Sequence, residues 1–249
     1  MEKAGKVLWK ANSSRSDWRN GAILQRLVGA VSELNLIGQA TRVEPVSKGS
    51  ENLLKTVGGA ELADAMLEHA MTLGKAAEFT VSGSDPAPWE IFWNTYPFDK
   101  EEGWVDGLNT LWFTFSRTQI PTRTESDNLL NAFFSVHQPE DTEYAVLHPF
   151  QHWSDFSDLH YRIPVTINLM FRGVFWANFL GRGHIEEFDS ARLNALNSFK
   201  ARWVGKDGLF VIASSDLSMA DAPNSEPTLL SLTQSFRDAL LLNSRWRLK

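Results

Sequence analysis

The sequence predicts an α+β fold, in which a mixed or mainly antiparallel sheet carries flanking helices. Three observations lead there. Runs rich in aromatic and β-branched residues, Trp89–Tyr96 and Leu108–Ser116 among them, read as strands. Other stretches repeat apolar residues at the spacing of an amphipathic helix. The two kinds mix irregularly, without the even strand–helix–strand spacing of a doubly wound sheet.

Along the chain, Ser16-Asp17 offers a helix cap ahead of Leu24, Leu27, Val28, Val31 and Leu34, and Gly38 stands where a stop is expected. A second helix is predicted from Ala60 to about Leu73, with Leu62, Met66, His69 and Leu73 on one face. Gly83-Ser84-Asp85-Pro86 is turn chemistry. It marks a candidate sub-boundary near 82–88, between a helical first third and an α+β remainder, within a single domain spanning 1–249.

Beyond it the two aromatic strands flank a charged loop, Asp99–Gly107. Thr124 or Asp127 then starts a helix carrying Leu129, Leu130, Phe133, Phe134 and Val136, which Pro139 ends. Tyr144–Leu147 and Val174–Leu180 read as strands, and Ile185–Leu196 as a helix. Ala201–Val204 and Leu209–Ala213 flank Gly205-Lys206-Asp207-Gly208, a hairpin-turn composition. Thr228–Leu242 is amphipathic, with Leu229, Leu232, Phe236 and Leu240 aligned. Trp89, Trp93, Trp112 and Trp176 fall in strands and are assigned to the core.

Composition narrows the function. Among 249 residues, 30 Asp and Glu outnumber 24 Lys and Arg, and the formal charge of −6 argues against direct binding of nucleic acid. The absence of cysteine excludes a disulfide framework, thiolate metal sites and a cysteine nucleophile. No run approaches the roughly 20 apolar residues a membrane span needs, and no secretory leader pattern is present. The expected location is the cytoplasm, with no membrane partner.

Catalytic signatures are missing. No Glu is followed two residues later by Lys, as a restriction-type nuclease would need, and no Gly-x-Ser-x-Gly elbow or phosphate loop occurs. Gly181-Arg182-Gly183-His184 lacks the third glycine of a phosphate cradle and reads as a strand-to-helix connection. The one cluster with metal-ligand character is His148-Pro149-Phe150-Gln151-His152 with Asp155, Asp158 and His160. The proline between the histidines makes a polar loop or short helix with exposed histidines the plainer reading. No catalytic residue, metal or cofactor is assigned.

What remains is surface chemistry. Acids gather in three stretches: Asp99, Glu101, Glu102 and Asp106; Glu140, Asp141 and Glu143; Asp155 and Asp158. Trp104 and Trp153 sit inside or beside them. Solvated loops are one reading. A partner-binding face is the other, because acids steer a basic partner and tryptophans anchor interfaces.

The stretches Arg172–Gly181, His184-Ile185-Glu186-Glu187-Phe188 and Trp203–Ile212 resemble bacterial toxin-immunity proteins, most closely the immunity protein 52 family. The resemblance implies an α+β cytoplasmic protein that performs no reaction. It would bind and neutralise a cognate type VI secretion (polymorphic-toxin) effector, typically a restriction-endonuclease-like nuclease, by blocking its active site or its assembly. It also implies that Trp176 and Asn178 serve the fold, the tryptophan in the core and the asparagine capping the turn that follows. The alternatives are a metal- or carboxylate-dependent hydrolase built on His148–His160, and an effector chaperone or adaptor.

Overall fold

The structure, a computed structural model, describes residues 5–55, 59–73, 76–105, 107–120, 122–150, 174–220 and 225–241. Its centre is a nine-stranded sheet in the order β10-β11-β9-β8-β1-β7-β4-β3-β2, paired antiparallel throughout. The strands are β1 (Lys6–Ser13), β2 (Arg42–Glu44), β3 (Ala77–Gly83), β4 (Trp89–Thr95), β7 (Asn109–Ser116), β8 (Tyr144–Phe150), β9 (Ala177–Leu180), β10 (Lys200–Val204) and β11 (Gly208–Ile212). A short ribbon of β5 (Phe98–Asp99) and β6 (Trp104–Val105) stands apart from that sheet. The α+β expectation holds.

Helices line both faces. On one face α1 (Ala22–Glu33), α2 (Ser50–Lys55), α3 (Gly59–Thr72) and α4 (Arg123–Val136) enclose a core with Trp9, Phe113, Trp93, Phe79 and Phe179. On the other, α5 (Arg182–Ile185), α6 (Ser190–Asn194) and α8 (Ser225–Ala239) carry a second cluster against Tyr144, Val146, Leu209 and Val211. The connecting α7 (Leu217–Ala220) leans on α4, where the Leu217 amide donates to Ser126 Oγ at 3.2 Å. The period-two alternation of β-strands sorts residues between the two faces.

Local chemistry explains where the elements start and stop. The fourth helix begins at Arg123, one residue before Thr124 and about a turn before Asp127, because Thr122 and Glu125 form a reciprocal capping box. The first helix ends at Glu33, well before Gly38. Asn35 takes the left-handed conformation (φ 54°), and the Leu36 and Asn35 amides close back on the Val31 and Ser32 carbonyls. Gly38 serves a close approach instead, since a Cβ there would lie 2.7 Å from the Asp85 carbonyl oxygen. The predicted helix over 185–196 is two short helices, because Phe188 bridges to Leu240 and Asp189 caps a new start at the Arg192 amide. The hairpin around residues 205–208 forms as expected, with Gly205 at φ 58°. Residues 84–88 link the paired strands β3 and β4.

Three of the four core tryptophans are placed as expected: Trp89, Trp93 and Trp176 are buried. Trp112 is not among them. The core side of β7 is Leu111, Phe113 and Phe115, which turns Trp112 to the opposite face, half-buried and stacked on Phe92 at 5.2 Å. Asn178 holds the turn before it rather than the one after, its side chain bonding both the amide and the carbonyl of Phe175.

Candidate functional site

The antiparallel order brings two of the three acidic stretches to one end of the sheet. Strand β1 finishes there at Ser13, paired with Asn109 at the start of β7, and Asn12 pairs with Tyr144 at the start of β8. The β5–β6 ribbon and the loop before β8 therefore flank the same segment, residues 13–16. Ser14 ties in the ribbon, its carbonyl accepting the Val105 amide at 2.8 Å. Ser16 ties in the loop and β7, its hydroxyl donating to the Glu140 carbonyl at 3.0 Å and its carbonyl accepting Asn109 Nδ2 at 2.8 Å.

In the ribbon, Asp99, Glu101 and Glu102 are exposed. The Asp99 carboxylate accepts the Glu101 and Glu102 amides at 2.8 and 3.1 Å, an Asx-turn that shapes the tip. Gly103 closes it with φ 72°, its amide on the Asp99 carbonyl. The Trp104 backbone pairs with Asp99; its side chain, like the whole of Asp106, lies outside the described residues. So do Trp153, Asp155 and Asp158.

The second stretch departs from the expectation of an outward acidic loop. Glu140 is exposed, but Glu143 is buried and Asp141 is partly so. Glu143 accepts from the Ser14 amide and, at 2.9 Å, from its hydroxyl, and it pairs with Arg15 at 3.4 Å. Asp141 pairs with Arg26, while its carbonyl accepts the Trp18 indole N–H at 2.7 Å. Trp18 in turn stacks on Trp93 in the core, 5.5 Å between centroids. These two carboxylates fasten the loop down because buried charges need partners. Both carboxylates are engaged within the chain rather than presented outward.

Two buried histidines, neither of them a site candidate in the sequence, lie beneath this end. The His137 Nε2 accepts the Trp9 indole N–H at 2.7 Å, and its Nδ1 faces the Thr142 hydroxyl, which donates to Asp141 at 3.0 Å. Burial first, and the Arg26 charge second, hold its pKa well below 6.5. His184 stacks on Tyr144 at 5.3 Å, and burial followed by the Arg15 charge lowers its pKa to about 3. Both rings are neutral at pH 7. The Gly181–His184 turn connects β9 to α5 as expected, and a Cβ on Gly181 would lie 2.4 Å from the Thr142 carbonyl oxygen. The segment that organises this end, Ser13-Ser14-Arg15-Ser16, is a run of hydroxyls that closes β1, and it carries no signal apart from that strand.

The metal-ligand reading meets a different environment. His148 is buried inside β8, and its Nδ1 accepts the Trp176 amide at 3.1 Å. It is neither in a loop nor exposed. His152 and His160 lie outside the described residues. Among the described residues no group of three or more His, Asp or Glu side chains could hold a metal ion, and no helix is long and apolar enough to cross a membrane.

Among solved structures, the chain is similar to one described as the Pseudomonas aeruginosa T6SS protein PA0821. The TM-score is 0.58 at 14% identity, over 95% of this chain and 77% of that one. At that identity the likeness is one of fold. No protein-family model matches the chain, and no curated protein matches it.

Proposed function

We propose that the chain is a cytoplasmic immunity protein that acts by binding, neutralising a cognate nuclease effector of a type VI secretion system. The observation that carries this reading is the convergence of Asp99, Glu101, Glu102 and Glu140 at one end of the sheet, on loops pinned by residues 13–16. A nuclease groove is positive because it holds phosphates, so an acidic, preorganised end would be drawn to it and compete with its substrate. The fold shared with a protein described as belonging to the T6SS supports the same setting.

Co-expression with the proposed cognate nuclease effector, sought in the adjacent gene, tests the proposal. Growth should be rescued, the two proteins should co-elute at micromolar concentration, and added chain should inhibit DNA cleavage. Binding without inhibition would instead make it a chaperone or adaptor. Failure to co-elute ends the proposal.

A further inference from the structure

We propose that β10 is a docking edge that adds an extended segment of a partner protein as a further strand, one in which acidic residues alternate with apolar ones. The site does not rest on the nuclease reading. Among the described residues β10 is terminal in the sheet order, and Lys200, Ala201 and Arg202 are exposed, so one side of its backbone faces no described strand.

The two faces of that edge differ in chemistry. Lys200 and Arg202 share one face, standing 5.6 and 5.2 Å from the Phe134 ring centroid, so the ring holds both cations at the rim of the strand. Ala201 falls in the opposite alternation, and Phe199, at 55% exposure, sits in the bend just before the strand. The segment before the strand is tied to α8, where Asn197 Nδ2 donates to the Ser231 hydroxyl at 2.9 Å, and the adjacent Leu230 is 40% exposed. An incoming strand would therefore meet positive charge on one side and an apolar ledge on the other. A second copy of this chain is a poor occupant, because antiparallel pairing of β10 with itself sets like charges opposite one another. The opposite edge offers no such match: β2 has three residues, and its Arg42 and Glu44 pair with each other.

The test titrates the full chain with a short synthetic peptide alternating Glu and Val. A Lys/Val peptide and a Glu/Val peptide N-methylated at alternate residues serve as comparisons. Amide exchange over 199–204 should slow with the Glu/Val peptide alone. Affinity should fall roughly tenfold for the K200E/R202E variant, two cross-strand attractions having become repulsions. The N-methylated peptide should fail on the unaltered protein, because it cannot complete the ladder. The proposal is overturned by equal binding of the N-methylated peptide, by unchanged affinity of K200E/R202E, by no binding at millimolar peptide, or by a dimer of this chain that itself protects 199–204.

Discussion

The two acidic stretches at the end of the sheet are close in composition and opposite in use. Around the ribbon tip, Asp99 spends its carboxylate on its own turn, and Glu101 and Glu102 face solvent. In the loop before β8, Asp141 and Glu143 turn inward onto Arg26, Ser14 and Arg15. The difference follows from what lies beneath each. The ribbon stands apart from the main sheet, whereas the loop closes over Trp18, His137 and the start of β8. A carboxylate over a part-buried backbone amide becomes a fastening, and one on a projecting turn stays exposed to solvent.

Breaking the inward set should have the largest effect. Glu143→Ala leaves the Ser14 amide and Arg15 without their acceptor and should cost about 3 kcal/mol, read by urea denaturation; Glu143→Gln should recover part of it. An unchanged midpoint for the alanine variant would erase the distinction between the loops.

Acid should act next, and on the same side of the comparison. A histidine whose folded pKa is lowered binds its proton in the unfolded chain first, so its stabilising contribution is full above pH 6.5 and is lost as pH falls below it. For His184, with a folded value of about 3, the loss by pH 5 is about 2 kcal/mol. His137 acts in the same direction. The slope of stability between pH 6.5 and 5 should fall in His184→Phe, measured by denaturation at each pH.

Smaller still, Asp99→Ala removes the acceptor of two exposed amides and should cost about 1 kcal/mol, with faster amide exchange confined to 100–103. Reversing Glu101 and Glu102 to Lys should move stability by no more than about 0.5 kcal/mol. On the proposed function, that variant should nevertheless slow association with the effector, most clearly at low salt. If it also unfolds the protein, the ribbon is not the independent surface described above.

Much of this arrangement was readable from the residues. The aromatic strands, the hairpin at 205–208 and the amphipathic helices carry local signals that the fold respects. Strand β1 was not readable, because Lys6 and Lys10 break its apolar run although it lies between two neighbours at the centre of the sheet. Trp112 was misplaced because strand propensity says nothing about which face a register selects. The inward turn of Glu143 depends on Ser14 and Arg15, 129 and 128 positions away, and no composition window reaches that far. The break at Phe188 is likewise tertiary, set by its bridge to Leu240.

The central place of β1 also sets a schedule. Trp9 and its partner His137 stand 128 residues apart, and Lys6 pairs with Ser116 in β7 and Phe150 in β8, 110 and 144 positions later. At a translation rate of about 5–20 residues per second, β1 waits about 6–26 s for its neighbours. Until then its unpaired edges and apolar side chains are exposed, and the long-range pairing that follows is intrinsically slow. Newly made molecules thus pass through an interval in which a central strand is exposed to aggregation before its neighbours exist.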